Sequence, residues 1–264
     1  MGIWRLLKLE THNAFMNMAL DEAILTARAI NRVPNTLRIY QWKPSAVSIG
    51  KNQQPENEVH LDNCRKLGVS VVRRISGGGT VFHDAKDEVT YSIIAQTEDL
   101  RVKDAVDAYS KVYSGITDAL RILGITADFN PGDVKNCPNM TVKNKKISGS
   151  SQARKRETIL QHGTLLLNVD LEKMFTLLRV PWAKTCMEVV AVAEKRITSV
   201  KNELGHEVSA ETAANALTVG FRNALAAEIA EGELTRFELE LAEKLCKEKY
   251  STDEWNLHGK SVIF

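Results

Sequence analysis

Twelve consecutive residues, from Arg73 to Asp84, bring together side chains that can do chemistry. They read Arg-Arg-Ile-Ser-Gly-Gly-Gly-Thr-Val-Phe-His-Asp, so two guanidinium groups precede three glycines, and an imidazole and a carboxylate follow them. Glycine lets the backbone take positive φ and approach a ligand closely. Successive backbone N–H groups in such a loop bind anions, and arginine suits phosphate or carboxylate. The pattern predicts an anion-binding loop; the simpler alternative is a hairpin turn that needs glycine for its geometry alone.

Two later segments carry further candidate groups. Lys146 begins Lys-Ile-Ser-Gly-Ser-Ser-Gln, in which a lysine at a strand edge beside a small-residue loop can reach into a pocket as a point charge. The alternative is a solvated hairpin with surface lysines around the turn at Asn144 and Lys145. His162 precedes Gly163 and an apolar strand, where a histidine can equally be a buried structural residue. The glycine loop itself lacks the Gly-Lys-Ser/Thr of a Walker loop and does not open a helix, which excludes both common nucleotide-loop motifs.

Composition sets the broader class. The chain has 264 residues, of which 44% are hydrophobic and 26% charged, as in an ordinary globular protein. Its net charge of +2 gives no support for binding to nucleic acid. Four separated cysteines without a Cys-x-x-Cys motif indicate a reducing compartment, and we expect the cytoplasm. No apolar stretch approaches the roughly 20 residues that span a bilayer, so no membrane role is expected.

The elements that position these groups alternate irregularly, which predicts an α+β fold with a mixed, largely antiparallel sheet packed against helices. Asn13 is expected to cap the first helix, and the most strongly amphipathic segment runs from Lys103 to Leu123. Strands are predicted at 2–9, 37–40, 46–49, 69–72, 80–82, 89–94, 125–129, 140–142, 146–148 and 163–169, and helices at 61–67, 210–229 and 235–250.

The three segments together resemble the lipoate–protein ligase family, within the wider group of biotin and lipoyl protein ligases and octanoyltransferases. Their order and spacing match, and the segments Met16–Ala23 and Tyr250–Asn256 also look like the family. The resemblance therefore covers nearly the whole chain and implies a single catalytic domain over residues 1–264 with the biotin/lipoyl protein ligase-like fold. It implies an enzyme that activates lipoate with ATP and Mg²⁺ as lipoyl-adenylate and then forms an amide with a lysine of a lipoyl domain.

The resemblance assigns roles residue by residue. Lys146 is expected at the activated carbonyl, as the catalytic group. The acyl-adenylate is expected to contact Arg74, Ser76, Gly77, Gly78, Gly79, Thr80, His83, Asn139, Ser148, Gly149, His162 and Gly163. A long apolar pocket for the acyl chain is expected to involve Val47, Ile49, Val72 and Val81, while the metal ligands stay unassigned. The expected partners are lipoyl domains of 2-oxoacid dehydrogenase E2 subunits or the glycine cleavage H protein.

Two departures from the family weaken the ligase interpretation. Family ligases usually read Asn-Asp where this chain has Asn139 and Met140, so an expected carboxylate near the metal is missing. The sequence also stops soon after Asn256, where many ligases carry a small additional domain. The expectation is either a separate accessory protein or an enzyme that does not adenylate.

Two alternatives remain open. A related octanoyltransferase would use a cysteine acyl-enzyme and no ATP, with Cys137 as nucleophile, and a thiolate there beside Lys135, Lys146 or Arg74 would be stabilised. Against it, that branch has an arginine where this chain has Gly79, so the loop favours the ligase. A non-catalytic lipoyl-binding module is the other alternative, although a passive binder needs neither the arginine nor the lysine.

Overall fold

The structure is a computed structural model that describes residues 3–133, 137–183 and 185–260. Its strands are β1 (Trp4–His12), β2 (Thr36–Trp42), β3 (Ala46–Ile49), β4 (Ser70–Arg73), β5 (Val81–His83), β6 (Glu88–Gln96), β7 (Asp128–Asn130), β8 (Asn139–Val142), β9 (Lys145–Lys155), β10 (Thr158–Leu166) and β11 (Ile229–Glu231). Its helices are α1 (Ala14–Ala29), α2 (Pro55–Glu58), α3 (Leu61–Lys66), α4 (Thr97–Leu100), α5 (Ala105–Ile122), α6 (Leu171–Leu177), α7 (Cys186–Ala193), α8 (Val200–Leu204), α9 (Ala210–Leu225), α10 (Arg236–Leu245), continued by a π-helical turn at Cys246–Tyr250, and α11 (Asp253–Asn256).

The large sheet has eight strands in the order β11-β1-β2-β6-β10-β9-β8-β7. Its β11–β1 and β1–β2 pairs are parallel, whereas every pair from β2 through β7 is antiparallel. The predicted α+β class with a mixed, largely antiparallel sheet is confirmed. In the described part of the chain, none of the helices has the length and apolar character needed to cross a membrane.

Helices cover both faces of this sheet. On one face, α5 and α9 pack with alternate sheet residues, including Ile39 and Tyr91, into the largest hydrophobic cluster. On the other face lies α1, whose start is capped as predicted because Asn13 Oδ1 accepts a hydrogen bond from the backbone N–H of Met16 at 2.9 Å. The sheet face beneath α1 carries polar side chains, and Arg38 among them is fully buried. That face holds the machinery described below.

The small sheet has the order β4-β3-β5, with β3 parallel to β4 and antiparallel to β5. The glycine loop joins β4 to β5, and these two strands lie on opposite sides of β3. The loop therefore crosses the end of a strand and does not close a two-stranded hairpin, so the alternative of a simple hairpin turn is wrong. The crossing lifts the glycines away from the ladder and leaves their peptide groups available to side chains.

Among the boundaries that differ from the sequence prediction, two are explained by pairing between strands. The strand expected at 146–148 continues to Lys155, because the Ser-Gly-Ser-Ser segment pairs residue by residue with β10. The helix expected to reach Ile229 ends at Leu225, where Ala226 takes a left-handed conformation with φ of 46°. Ile229 then pairs with Trp4 as the edge strand β11. Tertiary pairing decides both boundaries, and neither is visible in local composition.

Candidate active site

One cavity is bounded by residues of both sheets and of α1. Its volume is about 130 Å³, whereas a single water molecule needs roughly 10–15 Å³ by the same measure. The cavity can therefore hold part of a ligand. Among the residues predicted from sequence, its lining includes Arg74, Gly78, Gly79, Thr80, Val81, His83, Cys137, Lys146, Gly149, His162 and Gly163.

The other predicted residues stand behind or beside this lining. Ser76 and Ser148 are fully buried, and Gly77 and Asn139 lie next to lining residues without forming the wall. Three of the four residues expected in the apolar pocket do not line this cavity. Val47 and Ile49 pack in one hydrophobic cluster and Val72 in another, and all three side chains are fully buried there. Lys135 lies outside the described residues.

Arg74 is buried, and its whole guanidinium is occupied by protein acceptors. Nε donates to Ser76 Oγ at 3.1 Å, and Nη1 contacts the carbonyl and the hydroxyl of Ser48, both at 3.2 Å. Nη2 donates to the carbonyls of Gly77 and Gly79, both at 2.7 Å. These contacts use all five N–H groups that an arginine offers. In this geometry Arg74 acts on the loop, and the predicted direct contact with an acyl-phosphate would require one of these bonds to break.

A chain of buried polar groups leads to Arg74 from α1. Asp21 Oδ2 lies 2.9 Å from His162 Nδ1, and His162 Nε2 lies 2.6 Å from Ser76 Oγ. Ser76 Oγ also lies 2.8 Å from Ser151 Oγ at the cavity wall. Burial alone would raise the pKa of Asp21, but the hydrogen bond with His162 and the charge of Arg38 lower it below its ordinary value. Asp21 is therefore a carboxylate that fixes the imidazole.

A second chain reaches Arg74 from β6. Glu88 Oε1 lies 2.7 Å from His83 Nδ1, and His83 Nε2 lies 2.8 Å from Ser48 Oγ. The His83 ring stacks on Trp42 with centroids 3.9 Å apart and planes inclined by 15°. All four side chains are buried. The His83 ring is thus held on its face by an indole and at its edge by a carboxylate and a hydroxyl.

The glycine loop approaches the one cysteine that lines the described cavity. Gly78 has φ of 84°, a conformation that glycine adopts without strain. A Cβ atom placed on Gly78 would stand 4.0 Å from Sγ of Cys137 and 3.2 Å from Nη2 of Arg74. The loop, the thiol and the guanidinium therefore share one small space. Burial raises the pKa of Cys64 to about 11, which makes that thiol inert, whereas Cys137 is exposed at the cavity.

Lys146 reaches the same space along β9. Its Cε and Nζ both lie 2.7 Å from the point that a Cβ on Gly149 would occupy, so any larger residue at position 149 would force this side chain to move. Part of Lys146 is exposed, but dense surrounding protein lowers its pKa; the charge of Cys137 opposes this effect and that of Arg74 adds to it. Burial likewise lowers the pKa of Arg74 to about 10. A lysine whose pKa is lowered can exchange a proton near neutral pH more readily than a free lysine.

Arg73, the neighbour of Arg74 in sequence, serves a different place. Its guanidinium is buried and donates only to backbone carbonyls among the described residues, including those of Trp255 at 2.9 Å, Lys51 at 2.8 Å and Gln53 at 2.6 Å. Its own carbonyl accepts from the indole N–H of Trp255 at 2.7 Å. Arg73 ties the segment around α11 to the small sheet and does not line the cavity.

Several important residues escaped the sequence analysis. Asp21 and Asn17 stand four residues apart on the buried face of α1, and a polar pair at that spacing within an apolar helix face was the available signal. Ser48, Ser151 and Glu88 carried no such signal, because each sits in an ordinary strand whose partner strands are set only by the fold.

The expected metal finds no ligand set in the described ranges. Within residues 3–133, 137–183 and 185–260, no three His, Cys, Asp or Glu side chains are grouped closely enough to bind an ion. Met140, which stands where a ligase carboxylate was expected, is fully buried in the largest hydrophobic cluster and points away from the cavity lining. Mg²⁺ often binds through only one or two carboxylates together with substrate phosphates, so its ligands stay unassigned and no catalytic step is routed through it.

Comparison with known proteins identifies the family of this chain. Residues 13–222 match the model of the lipoyl protein ligase A/B catalytic domain. The chain is 37% identical to octanoyltransferase LipM of Kyrpidia tusciae, over 97% of this chain and 99% of that protein. It is 33% identical to octanoyltransferase LipM of Brevibacillus brevis, over 96% and 98% of the two chains.

Among solved structures, a bipartite lipoate protein ligase of Thermoplasma acidophilum, studied with its E2 lipoyl domain, superposes with a TM-score of 0.83 at 30% identity, covering 99% of both chains. The relatives' names support the octanoyltransferase alternative better than the ligase interpretation. On the match over residues 13–222 and these nearly full-length relatives, the chain belongs to the lipoyl protein ligase A/B catalytic domain family.

Proposed function

We propose that this protein is an octanoyltransferase that moves an octanoyl group from acyl carrier protein to a lysine of a lipoyl domain. The observation that carries the proposal is the exposed thiol of Cys137 at the cavity wall, beside the glycine loop and Lys146. A thiol in such a place can form a thioester, and a chemically activated lysine can move its proton. The names of the relatives from Kyrpidia tusciae and Brevibacillus brevis support the same reaction.

In the first half-reaction, the sulfur of Cys137 attacks the carbonyl carbon of the donor thioester. The new S–C bond forms as the C–S bond to the carrier's thiol breaks. Neutral Lys146 takes the proton of the Cys137 thiol at Nζ and passes it to the departing sulfur, so the carrier leaves as a free thiol. The lowered pKa of Lys146 makes its neutral form available for this exchange.

In the second half-reaction, the neutral amine of the acceptor lysine attacks the thioester on Cys137. The C–N bond forms, the C–S bond breaks, and the excess proton of the nitrogen moves through Lys146 to the sulfur of Cys137. The products are an amide and the free thiol, so the enzyme returns to its starting state. No nucleotide enters either step.

The glycine loop supplies donors for the charge that develops on the carbonyl oxygen. Because the carbonyls of Gly77 and Gly79 point to Arg74, the N–H groups of the same planar peptides, those of Gly78 and Thr80, point the opposite way. Gly78 and Thr80 both line the cavity. Fixed donors of this kind stabilise a developing oxyanion without reorganising.

The proposal is tested with intact mass spectrometry. Wild type is incubated with octanoyl-carrier protein and apo lipoyl domain, with E2 lipoyl domain and glycine cleavage H protein as separate acceptors. We expect an octanoyl adduct on the enzyme that hydroxylamine removes, and octanoyl amide on the acceptor without ATP. Cys137→Ala should show neither, while Cys186→Ala, a partly exposed cysteine outside the described cavity, should match wild type. Full transfer by Cys137→Ala would refute the thioester route.

A lipoate–protein ligase is the second candidate, supported by the similarity to the Thermoplasma acidophilum ligase. Lipoate with ATP and Mg²⁺ replaces octanoyl-carrier protein in a parallel reaction, with and without synthetic lipoyl-adenylate. Amide formation that requires ATP and survives Cys137→Ala would establish the ligase. Transfer from preformed adenylate alone would indicate that activation needs another protein.

A further inference from the structure

Two histidines occupy equivalent positions around Arg74. In each case a buried carboxylate contacts Nδ1 of the imidazole, and Nε2 contacts a serine hydroxyl that also accepts from the guanidinium. His162 acts on Nε of Arg74 through Ser76, and His83 acts on Nη1 through Ser48. The two histidines lie on different strands, β10 and β5, and the hydrogen bonds given above for the two chains converge on this arginine.

The carboxylates determine the direction of each chain. An ionised carboxylate accepts from Nδ1–H, which leaves Nε2 of a neutral imidazole as an acceptor. The O–H of Ser76 or Ser48 then points to its histidine, and the lone pairs of the oxygen face Arg74. This assignment of hydrogens is the one that a neutral imidazole with its proton on Nδ1 requires. The guanidinium therefore donates from Nε and Nη1 to two oriented serine oxygens, and its remaining nitrogen, Nη2, faces the loop.

The loop receives that orientation directly. Nη2 contacts the carbonyls of Gly77 and Gly79, which sets the planes of two peptides that bracket Gly78. A rotation of the guanidinium would turn both planes and with them the N–H groups of Gly78 and Thr80. Neither serine hydroxyl can serve as an acyl acceptor in place of Cys137, because Ser76 and Ser48 are at most 2% exposed.

We propose that His83 and His162 are positioning residues that act together, through Arg74, on the glycine loop that receives the acyl carbonyl. The inference rests on the proposed acyl transfer. Both histidines position the same group, the guanidinium of Arg74. Their effects on acylation therefore depend on Arg74 and are not independent of each other.

The experiment is a set of double-mutant cycles on the first half-reaction, with formation of octanoyl-enzyme followed by intact mass. His162→Ala and His83→Ala are each measured alone and in an Arg74→Lys background. Lysine keeps the charge but cannot bridge two serines and two carbonyls at once. We expect each single histidine variant to slow acylation by up to about 100-fold, the scale for a misplaced reacting group. In the Arg74→Lys background each histidine substitution should add less than about a twofold loss.

Two readouts separate positioning from simple loss of structure. Alkylation of Cys137 by iodoacetamide should keep its wild-type rate in the histidine variants, because the thiol itself is untouched. His162→Gln and His83→Gln retain a side-chain amide that can hydrogen-bond to the serine, and they should recover part of the acylation rate. His206→Ala, an exposed histidine whose described ring contact is a backbone carbonyl, serves as the control.

If a histidine-to-alanine variant does not fold, Ser76→Ala and Ser48→Ala break the same chains at their last link. These variants remove one hydroxyl each and leave the carboxylate–imidazole pairs intact. Losses that multiply independently of Arg74, or acylation and alkylation that fall together, would overturn the proposal. If wild type forms no thioester but ligates lipoate with ATP, the proposed function fails, and the same cycles measured on ligation still test the coupling.

Discussion

Arg74 and Lys146, two cations that line the described cavity, are held in opposite ways. Arg74 donates all five of its N–H groups to protein oxygens and is enclosed by two carboxylate–histidine–serine chains. The ammonium of Lys146 makes no hydrogen bond to any residue in the described part of the chain, and part of its side chain is exposed. Among the described residues, Arg74 has no N–H group left to donate, whereas the ammonium of Lys146 has no hydrogen-bond partner.

The difference in hydrogen bonding suits Arg74 and Lys146 to different roles. A guanidinium with no donor to spare is suited to hold a loop in one geometry, whereas an unbonded ammonium with a lowered pKa is suited to exchange protons. Sequence motifs present both as positive charge near a glycine loop. Their hydrogen bonds show that Arg74 holds the loop, whereas Lys146 has no such contact among the described residues.

Replacing Lys146 tests the reactive side most strongly. Lys146→Ala should raise the activation free energy of acyl transfer by about 3–4 kcal/mol, which lowers the rate hundreds-fold. This is the scale for removing one electrostatic group from a transition state. The melting temperature should stay unchanged, because the ammonium has no bonding partner in the described ranges to lose. Rates of acylation and thermal melts are the measurements. Activity within a few-fold of wild type would place Lys146 among ordinary surface lysines.

The ordered side is tested at Gly78. Gly78→Val introduces a branched side chain at φ of 84°, where its Cβ would press on Arg74 Nη2. We expect acylation to fall about 100-fold with the loop displaced, and binding of a non-hydrolysable acyl-adenylate or acyl-thioester analogue to weaken in parallel. Gly205→Val, also at a positive φ but in open space on the surface, is the control for backbone strain alone. Unaltered analogue affinity would remove the loop from the site.

Gly149 lies against the side chain of Lys146, so a substitution there tests the position of the ammonium. In Gly149→Ala the new methyl group would occupy the space of Lys146 Cε and Nζ, so the ammonium should be pushed toward solvent. We expect roughly a tenfold loss of acylation with little change in stability, because a flexible side chain gives way at small cost. A crystal structure of the variant should show Lys146 displaced, and an undisplaced lysine would contradict the packing argument.

The smallest expected effect is a shift along the pH axis. If neutral Lys146 accepts the thiol proton, acylation rises with pH through the pKa of Lys146, which burial holds below its ordinary value of 10.5. Gly149→Ala should move this rising limb to higher pH, because an ammonium returned to solvent regains an ordinary pKa. Measuring the first half-reaction keeps the acceptor lysine out of the profile. If the pH profiles of acylation by wild type and by Gly149→Ala coincide, Lys146 is not the proton carrier.

Much of this site was accessible from sequence, and the reason is local. The glycine loop and Lys146 belong to short motifs whose residue types already indicate anion binding, whereas His162 was assigned by the family resemblance. The role of Arg74 was not accessible, since whether a guanidinium faces a substrate or the protein depends on Ser48, which lies on another strand. His83 and His162 looked unrelated in sequence because their convergence exists only after β5 and β10 have been placed around one arginine.

The fold shows the same limit. The class and the capped first helix followed from alternating hydrophobicity and from Asn13, which act within a few residues. The length of β9 did not follow, because the small residues after Ile147 favour a loop until β10 pairs with them. Cys137 stayed the alternative nucleophile because Gly79 favoured the ligase, and its place at the cavity became visible only in the folded structure.

The carbonyl cage around Arg73 has a consequence for how this protein can change over evolution. Its buried charge is solvated by peptide oxygens, which every amino acid supplies, so the side chains of Leu257 and His258 can change without altering the contacts of that charge. Chain length is a different matter. Inserting or deleting one residue in the segment after Trp255 would move these carbonyl oxygens away from Arg73 and leave its buried guanidinium without hydrogen-bond acceptors, which costs free energy. The segment should therefore tolerate substitutions while resisting insertions and deletions.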